Sequence, residues 1–126
     1  MSALSPAAAA LIRLMQATPR GPRRDGIFAL WLTVRVVEDL TLVPPQPERA
    51  VRRRVANLER RLSSLALPTP LRRGLAGVLL QLRDANGPEA PSLLAQLAAP
   101  ARDGVGTEVG EVIGRAARAV QAPGPR

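Results

Sequence analysis

Proline breaks this chain at intervals that suit helices and leave little room for other structure. The thirteen prolines fall between runs rich in alanine, leucine and arginine, and the breaks carry helix-boundary signatures. Ser5-Pro6 reads as an N-cap followed by proline at the first helical position, opening a helix that runs to Ala17 before Pro19. Residues 18–25 read as a stiff basic linker. Asp25 then caps a second helix over 26–42, ended by Pro44-Pro45. A third helix spans Pro47 to Leu65. A fourth is capped by Thr69, has Pro70 at its first position and closes at Asn86-Gly87. A short fifth covers Pro91 to Ala98, residues 100–106 read as a flexible stretch, and a sixth runs from a Thr107 cap to Val120. The tail 121–126 reads as disordered.

Periodicity supports this division. In the third helix Val51, Val55, Leu58, Leu62 and Leu65 step by 4, 3, 4, 3, which places them in a stripe about 80° wide. Leu71, Leu75, Val78, Leu82 and Ala85 repeat the spacing in the fourth. The second helix is apolar nearly all round and is expected at the centre of the protein. Its Val34, Val36 and Val37 would also suit a strand, but the run is long and no second strand is present to pair with it. Composition agrees: 21 alanines and 19 leucines accompany only two aromatics, Phe28 and Trp31, where a sheet draws on aromatic and β-branched residues. The expectation is an all-α, single-domain bundle of five to six helices over residues 1–120, a length that can bury a core without disulfides.

The chain has no His, Cys, Tyr or Lys, and its eighteen cationic side chains are all Arg. The usual general base, thiolate, phenol and Schiff-base amine are therefore missing, and so are the common transition-metal ligands. No nucleophile–base pair, metal cluster or cofactor motif is apparent, which points to a protein that is not an enzyme and holds no cofactor. The best apolar stretch, 27–43, carries Arg35, Glu38 and Asp39 and is too short and too charged to span a membrane. With no basic start before an apolar N-terminal stretch, no secretory signal is apparent and a cytoplasmic protein is expected.

Eighteen arginines against ten carboxylates leave a net charge of +8, which suits a polyanionic partner. In the third helix Arg49, Arg53 and Arg60 lie opposite the apolar stripe and Arg54 and Arg61 on its flank, with no acid on their own helix to pair with. Glu48 and Arg52 form an i,i+4 pair. Arg20, Arg23 and Arg24 crowd the linker, while Arg72 and Arg73 open the fourth helix, where cations oppose the helix dipole and a bound anion would relieve them. These ten arginines are the candidate contacts to RNA or DNA phosphates, which guanidinium forks suit. Without aromatic platforms, binding is expected to be backbone-directed, salt-sensitive and weakly sequence-specific.

The competing reading is a helical adaptor that docks an acidic protein through Phe28, Trp31 and Arg35, or that self-associates. Both rings are expected in the core, with Arg35 reaching Glu38 or Asp39. Gly106, Gly110 and Gly114 repeat every four residues in the sixth helix, and glycine there implies close approach of another backbone. Gly74 and Gly77 of the fourth helix could supply the facing groove, within the bundle or in an oligomer.

Overall fold

The computed structural model describes residues 5–40, 47–84 and 90–121. Among them seven helical segments follow one another: α1 (Pro6–Gln16), α2 (Pro22–Leu40), α3 (Glu48–Leu62), α4 (Thr69–Asp84), α5 (Ala90–Ala95), α6 (Ala98–Gly104) and α7 (Thr107–Gln121). No strand occurs among the described residues. Only Gln96 and Leu97 separate α5 from α6, so the two make one bent arm of an all-α, single-domain bundle that then counts six elements. The expected stops at Pro44-Pro45 and Asn86-Gly87 lie outside the described residues, as does the expected tail 121–126 except Gln121, which is the last residue of α7 and not part of a disordered tail.

α2 is the axis, touching α1, α3, α5, α6 and α7. Ile27, Ala29, Leu30, Val34 and Val37 are at most 1% exposed. Its one fully buried polar residue, Thr33, donates its hydroxyl proton to the Ala29 carbonyl at 2.8 Å, so that hydroxyl is satisfied within the helix. Of the two apolar stripes, Val51, Val55, Leu58 and Leu62 of α3 and Leu71, Leu75, Val78 and Leu82 of α4 are core, while Leu65 is half-buried. α3 packs on α2 and α4 and presents its other face to solvent. No helix among the described residues is long and apolar enough to cross a membrane.

Three boundaries differ from expectation. α2 begins at Pro22 instead of Gly26, because Pro22 supplies the fixed φ of a first helical residue and Gly21 takes the positive φ of 149° that turns the chain into it. Arg23 and Arg24 are therefore helical, and Asp25 does not cap α2. Its carboxylate instead accepts a hydrogen bond from the Ala66 amide at 3.1 Å. α3 ends at Leu62, leaving Leu65 half-buried in the joint that follows. Most of the stretch expected to be flexible, 100–106, is helical as α6; Pro100 is tolerated because it sits in the first turn, where its missing N–H has no partner to lose.

The glycines explain why α6 forms. A methyl group on Gly74 would come within 2.7 Å of Cβ and Cγ of Pro100, and one on Gly110 within 2.8 Å of Cβ of Arg102 and 3.0 Å of the Ala98 carbonyl oxygen. α6 is thus clasped between α4 and α7, each backbone approaching it at a glycine. Gly74 and Gly110 do not face one another; both face α6, and their close packing is internal, while Gly106 faces the Arg23 side chain. Gly77 meets nothing within 4 Å, and Gly114 meets only the Arg118 guanidinium at 3.7 Å. Gly77→Ala and Gly114→Ala are accordingly expected to stabilise by about 0.5–1 kcal/mol each through helix propensity. Gly74→Ala and Gly110→Ala should instead destabilise, because the clash exceeds that gain. Urea denaturation of the four variants checks the split, and one common sign for all four would contradict it.

Candidate nucleic-acid interface

The pairings of neighbouring helices decide where the arginines lie. α2 and α3 run antiparallel, as Asp39 pairs with Arg54, the Arg61 guanidinium lies over Phe28, and Asp25 meets Ala66. α3 leads through the 63–68 joint into α4 and packs on it, with Glu59 in its last turn paired to Arg83 in the last turn of α4. α4 opposes the α5–α6 arm, from Gln81 beside Gln96 to Leu71 beside Gly104. The start of α2, the α3–α4 joint and the α6–α7 joint therefore meet at one end of the bundle. Gly26 marks the meeting point: a Cβ there would lie 2.9 Å from Val105, 3.1 Å from Leu71 and 3.6 Å from Pro68.

Seven of the ten expected phosphate contacts collect at this end. Arg20, Arg23 and Arg24 come from the start of α2, Arg60 and Arg61 from the last turn of α3, and Arg72 and Arg73 from the first turn of α4. All are exposed except Arg24, which is half-buried. The carboxylates of the same end are Asp25, already engaged by the Ala66 amide, Glu59, paired with Arg83, and the exposed Asp103 and Glu108. None of these seven arginines forms an ion pair among the described residues. The N-termini of α2, α4 and α7 add their partial positive charge, and the first turn of α4 holds no acid.

The other three are divided. Arg49 and Arg53 lie exposed along α3, Arg53 about 10 Å along the axis from Arg60 at 1.5 Å per residue. Arg54 is taken by Asp39 of α2 and is no free contact. The i,i+4 pair of Glu48 and Arg52 forms at 2.7 Å with both side chains largely exposed, and contributes at most about 0.5 kcal/mol.

The aromatic pair departs from expectation as well. Phe28 and Trp31 are half-buried at the core's edge, stacked with centroids 5.9 Å apart and rings inclined by 17°. Arg35 turns from the acids toward Trp31, its guanidinium 5.2 Å from the ring centroid, and Arg61 lies 5.8 Å from that of Phe28. The result is a strip in the order Arg61, Phe28, Trp31, Arg35 across α3 and α2. Each ring face holds a guanidinium near one position, which lowers the entropy lost when that guanidinium binds an anion. The Trp31 Nε1 is buried with no hydrogen-bond partner, a cost of about 1–3 kcal/mol that an apolar ring would avoid.

Composition and helical spacing did not single out Arg102, Arg115 and Arg118, which line one trough between α6 and α7. Arg115 and Arg118 are one turn apart in the sixth expected helix, but Arg102 falls in the stretch read as flexible, so its placement could not be deduced. Among the described residues no group of three or more carboxylates could hold a metal ion. Compared with protein-family models, with curated proteins and with solved structures, the chain matches none.

Proposed function

We propose that the protein is a non-catalytic helical subunit that grips the sugar–phosphate backbone of RNA or DNA at the arginine-rich end of its bundle. The observation that supports this most is the gathering, from three helices, of seven arginines that form no ion pair among the described residues, onto an end with four carboxylates, two of them already engaged. Such clustering has an electrostatic cost that a polyanion relieves. Arg49 and Arg53 would extend the contact along α3. No ring is free for bases to stack on both faces, so the reading calls for backbone contacts with weak sequence preference.

The test is anisotropy of labelled mixed-sequence RNA and DNA at 50 and 200 mM salt. If six or more arginines meet phosphates, affinity is expected to be micromolar or tighter at the lower salt and to fall by about 10³-fold at the higher. Absence of binding at 50 mM would overturn the proposal.

The strip of Phe28 and Trp31 between Arg35 and Arg61 favours a second reading, docking of an acidic protein, since Trp and Arg are enriched at interface hot spots. A complex that survives salt and is lost on Trp31→Ala would identify that function.

A further inference from the structure

A polar trough between α6 and α7 has a volume of about 590 Å³. Its walls carry three guanidiniums, Arg102 from α6 and Arg115 and Arg118 from α7, all exposed and without an ion pair among the described residues. The Thr107 hydroxyl stands at one end, beside the N-terminus of α7. One carboxylate, Glu111, lies between, leaving the lining a net charge of +2, three cations less one anion.

The floor is glycine. Gly110 is required there by the α6 backbone, but nothing in the fold requires Gly114, whose missing side chain would meet only Arg118 Nη1 at 3.7 Å. A mid-helix glycine with no packing reason leaves a recess in which a ligand can approach the helix backbone, with the Arg118 guanidinium folded across it.

We propose that this trough binds a small oligophosphate anion, two or three phosphoryl groups in line. Arginine is suited to phosphoryl oxygens because its fork offers two parallel donors. The three guanidiniums enter from two helices, the Arg102 side chain beside Gly110 and the Arg118 guanidinium beside Gly114, positions about 6 Å apart along α7, a span that suits phosphoryl groups in line better than one phosphate. Small-molecule pockets are usually lined by apolar side chains. No aliphatic or aromatic side chain lines this one, so a nucleoside attached to the phosphates would gain little added packing. The trough begins at the α6–α7 joint, on the same end of the bundle, but shares no residue with the seven arginines of the nucleic-acid reading.

Calorimetric titration with tripolyphosphate, pyrophosphate and inorganic phosphate at constant ionic strength tests it. Tripolyphosphate is expected to bind at least 10-fold more tightly than phosphate, and ATP no more tightly than tripolyphosphate. Arg102→Gln with Arg118→Gln, and separately Gly114→Leu, which fills the floor and keeps every charge, should each weaken tripolyphosphate at least 10-fold, while Glu111→Gln strengthens it. If Gly114→Leu fails to fold by circular dichroism, Gly114→Ala replaces it, with a loss of at least threefold. A combined Arg23→Gln, Arg60→Gln, Arg73→Gln variant at the bundle end should bind tripolyphosphate within twofold of the parent. Equal losses at both places, no effect of filling the floor, or a strong preference for ATP would overturn the assignment. So would loss of RNA binding in the trough variants alone, which would make the trough the nucleic-acid contact.

Discussion

Replacing Arg23, Arg60 and Arg73 together by glutamine is expected to weaken nucleic-acid binding by about two to three orders of magnitude at 0.1 M salt. Each phosphate neutralised contributes roughly 0.9 to the slope of log affinity against log salt, so the slope should fall by about 2.7. The three residues come from α2, α3 and α4, are exposed, and form no ion pair among the described residues, so their loss removes charge without removing packing. Arg61 is left in place because its guanidinium covers Phe28, and Arg72 because it donates to the Leu67 carbonyl at 3.4 Å. The control is Arg102→Gln, Arg115→Gln, Arg118→Gln, which lowers net charge by the same three units at the trough. If both triples weaken RNA equally, the protein attracts nucleic acid only by its overall charge, and the bundle end is no interface.

Leu71→Ala should cost about 2–5 kcal/mol of folding stability, a large share of the roughly 5–15 kcal/mol that holds a domain together. Leu71 is fully buried at the point where α2, α4 and α6 converge, with Gly26 and Gly104 pressed against it. Close approach of two backbones leaves little freedom for the site to collapse, so most of the cavity would persist. Leu80, on the same helix and 62% exposed, is the comparison: Leu80→Ala should change stability by less than about 0.5 kcal/mol. Denaturant midpoints measure both. A Leu71→Ala variant no weaker than Leu80→Ala would mean that α4 does not seat against Gly26 and Gly104, and the gathering of arginines at that end would lose its basis.

What could be read in the chain follows from locality. The 4-3-4-3 spacing of Val51, Val55, Leu58 and Leu62 is a property of one helix, so it predicted the buried face of α3 before any neighbour was known. The Ser5-Pro6 start was equally legible, since Ser5 Oγ accepts from the Ala8 amide at 3.1 Å. The exposed arginines of α3 were legible because the opposite face of an amphipathic helix meets solvent. α6 was not: with proline and two glycines in 100–106, its local signals favour a loop, and only the clasp by Gly74 and Gly110 makes a helix there worth forming.

The sequence by itself therefore determined the all-α class, most helix boundaries to within a few residues, the core stripes and the excess of arginine. The tertiary structure decided which arginines belong together. It brought Arg20, Arg23 and Arg24 beside Arg60, Arg61, Arg72 and Arg73, gave Arg54 to Asp39, and left Arg49 and Arg53 further along α3. The reason is physical: hydrophobic periodicity states that a face will be buried and not against what, because burial of apolar surface is non-directional. Partners and direction are chosen by close packing, here at Gly26, Gly74 and Gly110, where only particular backbones fit.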